Sequence, residues 1–324
     1  MNEKQIAVIL FQLGGPDSLE AIEPFLYNLF CDPDIIDFPG AFLARKPVAK
    51  FIATRRSQKV AHHYQDIGGK SPILELTTGQ AHALQNELDK HINADVHVAM
   101  RYWHPMTQEV ILQLKKKNYK KIILLPLYPQ YSKTTTGSSI NEWERQCAKL
   151  QFTSVLASTV TSYYNHPLYI EAIVERINET YTKFSGVNPN DIDLVFSAHS
   201  VPVSVIQSGD PYKQHIEETV KHVVTKGNWE SPHVLCYQSK VGPSEWLKPS
   251  LTNTIRELAS RQRKHLLVVP VAFVTEHIET LHEINIEARE DAKRFGIQQF
   301  EISPALNNHP KFIQCLVELV LSHI

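Results

Sequence analysis

Cysteine is scarce in this chain and never clustered: Cys31, Cys147, Cys236 and Cys315 stand 116, 89 and 79 residues apart. No CxxC pair exists, so a zinc ribbon, a redox dithiol and a Cys-ligated cluster lack a local ligand set. Long apolar runs are missing too. The longest, Leu266–Val274, holds nine residues including a proline, against about 18 for a membrane-spanning helix. Nor is there an excess of one charge: 33 Lys and Arg against 34 Asp and Glu leave −1, which gives no global basic field to hold nucleic acid. Gly14-Gly15-Pro16 is not GxGxxG, and the Thr134–Ser139 loop lacks the Walker A lysine. His277-Ile278-Glu279 is not followed by PCxxC, and neither HExxH nor GxSxG occurs. Nucleotide hydrolysis, deamination, zinc proteolysis and serine esterase chemistry lose their signatures.

What is present is an ordinary globular composition, 43% apolar and 21% charged over 324 residues, enough for about two domains at ~150 residues each. Sixteen histidines tilt the chemistry toward metals or protons. Met1–Gln5 runs directly into the strand-like Ile6–Leu10 without a signal-peptide pattern, so a cytoplasmic protein is expected.

Short β-branched runs alternate with helical-period segments: Ile6–Leu10, Val96–Met100, Lys121–Leu127 and Phe152–Leu156, then Asp191–Phe196, His233–Tyr237, His265–Val271 and Gln298–Ile302. This βα alternation predicts an α/β fold of two doubly wound, Rossmann-like domains, each with a parallel four-stranded sheet flanked by helices. A helix over Pro167–Phe184 and a turn at 185–190 separate the two groups of strands. The expected division is 1–157 plus 305–324 for the first domain and 158–304 for the second. No fixed-period repeat relates them.

Ligands in such sheets bind beyond the carboxyl ends of the strands. One strand ends in Ser197-Ala198-His199-Ser200, another in Thr275-Glu276-His277-Ile278-Glu279, and a third in the hydroxyl-rich Tyr128–Ser139. Thr275 is a plausible N-cap for the helix that follows. Glu279, Glu283 and Glu287 recur every four residues. On an α-helical wheel they lie opposite Leu281, Ile284 and Ala288, which reads as a solvated face. Like charges at that spacing disfavour a helix, so a row of acids entering a wet cavity, able to carry protons or cations, is the competing reading. Segment 32–56 interleaves Phe38, Phe42, Leu43, Phe51 and Ile52 with Arg45, Lys46, Lys50, Arg55 and Arg56. It reads either as an amphipathic helix packed on the domain or as a lip for an apolar, anionic ligand or a membrane surface.

Taken together, these segments resemble ferrochelatases over nearly the whole chain. The resemblance runs through Leu13-Gly14-Gly15-Pro16-Asp17, Tyr64 with Ile67–Ile73, Arg101-Tyr102-Trp103-His104-Pro105, and Leu127–Ser132 with Thr135–Ser139. Its strongest parts are Phe196–Pro202, similar to the segment with the family's metal-site histidine, and His277-Ile278-Glu279-Thr280-Leu281 with Glu283, similar to its acidic helix. Tyr237–Pro243 with Trp246–Pro249 resembles the branch that uses protoporphyrin rather than coproporphyrin. Gln12 stands where the family often has asparagine, and Glu276 where it often has aspartate. No cysteine-bearing extension follows Ile324, so no [2Fe–2S] cluster is expected.

The resemblance implies insertion of Fe²⁺, as a substrate, into protoporphyrin IX, with release of two protons and haem as product, and no cofactor. Metal insertion needs a base for the pyrrole protons and a ligand for Fe²⁺. A neutral imidazole serves both, which singles out His199, with Glu279 as the opposite wall. The family implies that Glu279 binds metal or receives protons, that His277 orients it, and that Glu283 and Glu287 lead outward as a conduit. A flat ring with propionates asks for aromatic walls and a few cations. Arg101, Tyr102, Tyr128, Tyr131, Ser132, Phe38, Phe42, Arg55, Arg56 and Lys59 are the candidates. The lip then becomes the ring's route in and out, with peripheral contact at the inner face of the cell membrane. Two rivals stay open: another tetrapyrrole chelatase, for cobalt or nickel, and a non-catalytic haem or porphyrin carrier.

Overall fold

The computed structural model describes residues 5–36, 41–153, 155–240 and 244–324, without the side chains of 41 and 42. The chain divides into two units, 1–162 with 313–324, and 163–312. Among the described residues each unit holds one four-stranded, wholly parallel sheet.

In the first unit the strands are β1 (Ile6–Gln12), β2 (Ala94–Met100), β3 (Lys121–Pro126) and β4 (Leu156–Thr159), in the order β2-β1-β3-β4. In the second they are β5 (Ile192–His199), β6 (His233–Gln238), β7 (His265–Pro270) and β8 (Gln299–Ile302), in the order β6-β5-β7-β8. Parallel strands need crossovers, and the intervening helices cover both sheet faces. That is why β1 and β5 read as near-continuous apolar runs: Ala7–Phe11 and Leu194–Phe196 are all buried. Ala7, Ile9 and Phe11 pack with Val110, Ile111, Leu114 and Trp143 on one face of the first sheet. Val195, Leu266 and Val268 pack with Ile255, Ile284 and Phe300 in the second.

The strand order reverses beside β1 in one sheet and beside β5 in the other. Open α/β sheets form a crevice at the carboxyl ends of the strands flanking such a reversal. These ends are Gln12 and Pro126 in the first unit, and His199 and Pro270 in the second.

The helices are α1 (Ile22–Phe30), α2 (Ala41–Asp66), α3 (Ile73–Leu88), α4 (Thr107–Leu114), α5 (Ser138–Lys149), α6 (Pro167–Tyr181), α7 (Val203–Gln207), α8 (Tyr212–Gly227), α9 (Leu251–Ser260), α10 (Arg289–Phe295) and α11 (Pro310–Leu321). Two π-helical segments, Lys133–Gly137 and Glu279–Ala288, lead directly into α5 and α10.

Two local expectations are corrected. The run at 152–156 is not the fourth strand; pairing with β3 begins at Leu156 and ends at Thr159. Gln151 takes a left-handed conformation, φ 53°, as the chain leaves α5, and Phe152 and Val155 pack onto the core from the loop. Their burial produces the strand-like pattern without the ladder. Thr275 is not an N-cap. The π-helical segment has Ile278 at that position with no side-chain cap, and the Thr280 hydroxyl accepts from the His277 N–H instead.

Gly15 shows how tightly the loop after β1 is closed. A Cβ there would stand 2.5 Å from Ser71 Oγ and 3.3 Å from Ile73 Cγ2, while the Ser71 N–H donates to the Pro16 carbonyl at 2.8 Å. We expect Gly15→Ala to destabilise the protein by about 1–3 kcal/mol through overpacking. Adding Ser71→Gly should recover part of that loss, as read by denaturant titration of the two single variants and the double variant.

Candidate functional site

His199 is the last residue of β5 and lies opposite Gln238, the last residue of β6, in the parallel register. Glu279 opens the π-helical segment that follows β7. These two chain ends meet: His199 Nδ1 is 2.8 Å from Glu279 Oε2. Because the carboxylate accepts, Nδ1 carries the proton, which leaves Nε2 as the free nitrogen of the neutral ring. The imidazole is 37% exposed and the carboxylate 15%. The Tyr212 hydroxyl donates to the His199 carbonyl at 2.9 Å, and the rings of Phe273 and His199 meet edge to face at 6.5 Å. The expectation of Glu279 as a wall opposite His199 is corrected here, since the two are hydrogen-bonded neighbours.

The carboxylate is held from other sides as well. The Gln238 amide nitrogen lies 3.4 Å from Glu279, and Ser197 donates to the Gln238 amide oxygen at 2.8 Å, which orients that amide. Ser239 stands in a left-handed conformation, φ 56°. Its hydroxyl donates to Glu283 and lies 3.4 Å from Glu279. His277 is buried, with Nδ1 3.1 Å from the Thr275 carbonyl. A carbonyl only accepts, so Nδ1 is protonated and Nε2 faces Glu279 Oε1 at 3.9 Å.

Electrostatics divide the three glutamates. Burial alone would raise Glu279, but His199, then His277 and the Gln238 amide, outweigh it and hold the carboxyl well below the usual range. Burial would likewise lower His199, and the Glu279 and Glu283 carboxylates together raise it. Glu283 is pushed up to about 7, first by burial and then by the neighbouring Glu279 charge, against the Ser239 hydrogen bond. Glu287 is exposed, 3.7 Å from His282 Nδ1. The solvated-face reading therefore fits Glu287 and fails for Glu279 and Glu283. A π-helical turn holds more residues than an α-helical one, so a wheel drawn at ~100° per residue misplaces these side chains.

In the first unit the polar cluster centres on Asp32, a residue the sequence reading did not single out. Its fully buried carboxylate pairs with Arg101 at 2.9 Å and accepts from the hydroxyls of Tyr102 and Ser138. Arg101 also donates through Nε to Ser138 at 2.8 Å and lies 3.8 Å from Glu142. Burial would raise the Asp32 carboxyl, but Arg101, Ser138 and Tyr102 hold it below the ordinary range. Tyr102 is raised well above a normal phenol by burial and by Asp32, so it stays a donor.

Arg101 and Tyr102 are thus engaged inside the first unit. Tyr128 is partly buried, and burial raises its phenol as well. Buried Ser132 accepts from the Thr134 N–H and caps the first π-helical segment. Partly exposed Tyr131 leans on Gly137, its hydroxyl 3.2 Å from where a Cβ would stand. On α2, Arg55 lies over the Phe51 ring and Arg56 over the Phe30 ring, while Lys59 is exposed. Phe38 and the side chain of Phe42 lie outside the described residues, as do 241–243 of the Tyr237–Pro243 motif. Gln238, Ser239, Tyr212 and Phe273 were also missed as site residues. Gln238, Ser239 and Phe273 carried a signal, since they stand at or just beyond the carboxyl end of a strand.

Solved structures with this architecture include SirB from Bacillus subtilis, recorded with Fe³⁺, at a TM-score of 0.56 and 12% identity over 98% of this chain and 95% of that one. CbiX, the terminal enzyme of sirohaem biosynthesis in denitrifying bacteria, matches at 0.52 and 11% over 99% of both chains. The fold is that of the chelatases, with an imidazole–carboxylate pair at the strand-order reversal of its second unit. A family model for ferrochelatase matches residues 5–324. The ferrochelatase of Geotalea daltonii is 47% identical over 99% of this chain and 98% of its own length. That of Aquifex aeolicus is 45% identical over 98% and 99%. The chain belongs to the ferrochelatase family, enzymes that insert iron into a porphyrin in the terminal step of haem biosynthesis.

The displaced Glu283 gives a stability signature. Its folded-state value of about 7 lies above the ordinary 4.5, so the folded protein keeps a proton that the unfolded chain has released. This contribution is intact below about pH 4.5 and is lost as pH rises toward 7. Glu283→Gln should be more stable than the parent by about 1–3 kcal/mol at pH 8 and nearly equal to it at pH 4. A difference that does not change with pH, in chemical denaturation at both values, would refute the assignment.

Proposed function

We propose that His199 faces the porphyrin nitrogens and acts as base and metal ligand, with Glu279 as its electrostatic partner and second metal ligand. The observation that carries this reading is the 2.8 Å pair between His199 Nδ1 and Glu279, which directs Nε2 away from the carboxylate. Insertion releases two pyrrole protons for each Fe²⁺ that enters. Neutral His199 takes a proton at Nε2, and Glu279 stabilises the resulting imidazolium. His277 orients Glu279 from behind. Glu283, near neutrality, receives protons that Glu279 is too acidic to hold, and Glu287 releases them to solvent. Fe²⁺ is a substrate here, and the activity is assigned to these side chains without a [2Fe–2S] cluster.

For the ring, Tyr128 and Tyr131, with Phe38 and Phe42, supply apolar walls. Arg55, Arg56 and Lys59 on α2 meet the propionates. Arg101, Tyr102 and Ser132 set the shape of the first unit's carboxyl edge, since their polar atoms are already engaged. The substrate is protoporphyrin IX rather than coproporphyrin, a reading supported by Tyr237–Pro243 and Trp246–Pro249.

The protein works in the cytoplasm with peripheral contact to the inner face of the cell membrane. No helix among the described residues is long and apolar enough to cross a membrane. Leu43 and Phe51 on α2 are 76% and 60% exposed, beside Lys46, Lys50 and Arg55, which suits an anionic lipid surface.

Two outcomes test this reading. Under anaerobic conditions with protoporphyrin IX and Fe²⁺, His199→Ala should lose at least ~100-fold in metallation while porphyrin affinity, read by tryptophan quenching, stays within ~3-fold. Unchanged metallation, or faster turnover with Co²⁺ or Ni²⁺, would replace the assignment. Phe51→Asp should lower sedimentation with phosphatidylglycerol vesicles by roughly 3- to 10-fold without lowering turnover of a soluble porphyrin. Equal sedimentation would remove the lip from the membrane.

A further inference from the structure

At the carboxyl edge of the first unit the Asp32 pair leaves Arg101 without a free charge. Asp32 follows α1, Arg101 follows β2, and Ser138 begins α5, so three segments converge there on one buried carboxylate. Around it, Asp34 pairs with Arg145, and Arg145 with Glu142. Asp32, Asp34 and Glu142 against Arg101 and Arg145 give three negative and two positive charges. The guanidinium of Arg101 is 10% exposed and more than matched in charge. Arg55, Arg56 and Lys59, by contrast, have no acidic partner among the described residues.

We propose that Asp32 is a specificity-determining residue: by neutralising Arg101 it makes this edge suited to the uncharged, vinyl-bearing side of a dicarboxylate porphyrin and unsuited to further carboxylates. This rests on the reading above that the first unit binds the ring. The chemistry is that of discrimination by an absent partner. A carboxylate brought against a compensated guanidinium is desolvated without gaining a counter-charge, whereas a vinyl group loses little. Arg101, held by Asp32 and Ser138, cannot turn to offer its fork.

The test compares the full-length parent, Asp32→Asn, Arg101→Gln and the double variant, each checked for folding by circular dichroism. Protoporphyrin IX, with two carboxylates, and coproporphyrin III, with four, are titrated by tryptophan quenching at low and high salt. Asp32→Asn should shift the affinity ratio toward coproporphyrin by about 10-fold at low salt, and less at high salt. The double variant should return to within about 2-fold of the parent ratio. Arg101→Gln leaves Asp32 uncompensated and should shift the ratio the other way, which keeps the proposal testable if Asp32→Asn does not fold. If the variants strengthen or weaken both porphyrins alike, Arg101 is a direct propionate ligand and the proposal is overturned. If the parent binds and metallates protoporphyrin but no variant moves the ratio, only this inference fails. A parent that binds neither porphyrin overturns the ring-binding reading itself.

Discussion

The hydrogen bond between His199 and Glu279 is the constraint around which the second unit's site is organised. It joins the carboxyl end of β5 to the first turn after β7, two neighbouring strands on which the strand order reverses. Several other polar contacts at that edge support it. Gln238 reaches Glu279 because the parallel register sets it opposite His199, and Ser197, two residues before the histidine on the same strand face, holds the Gln238 amide. Phe273 stands against both His199 and His277 and limits solvent on one side. The pair also determines a chemical state: a histidine whose Nδ1 is committed to a carboxylate has one nitrogen left for other work.

The first unit has the same strand order and carries different chemistry at the same edge. Its carboxylate, Asp32, is buried with an arginine rather than set beside a half-exposed imidazole. Asp32 is held below its usual value by Arg101, Ser138 and Tyr102. That cluster therefore cannot exchange protons near neutrality and acts through shape and charge. Equivalent topology supplies the position, and residue type decides what is done there.

Much of the architecture was legible because parallel strands buried on both faces leave apolar, β-branched runs that no turn or amphipathic helix imitates for long. The failure at 152–156 is the exception that follows from the same physics, since Phe152 and Val155 are apolar for core packing without joining the ladder. Legibility fell where one residue acts alone. Asp32 has no periodicity and no motif, and its role arises from partners 69 to 106 positions away. Ser239 is marked by a left-handed backbone that sequence does not disclose for a serine. The glutamate stripe was legible as a recurrence, but not its burial, because the π-helical winding is not written in the i,i+4 pattern.

That winding bears on why three identical side chains behave differently. Glu279, against His199, is stabilised as an anion. Glu283 meets that anion from the next turn and is shielded from water, so its own charge is disfavoured. Glu287 stands in solvent. A proton placed on this row is least stable on Glu279 and more stable on Glu283, so on the proposed mechanism it moves outward from the imidazole without a further gating element. The first acid in such a row must be the strongest, since a carboxyl that kept the proton would leave the imidazolium without its counter-charge. Burial of Glu283 steepens the arrangement: a fully solvated carboxyl at that position would keep the ordinary value of 4.5, still a weaker acid than Glu279, so the row would keep its direction with a smaller step.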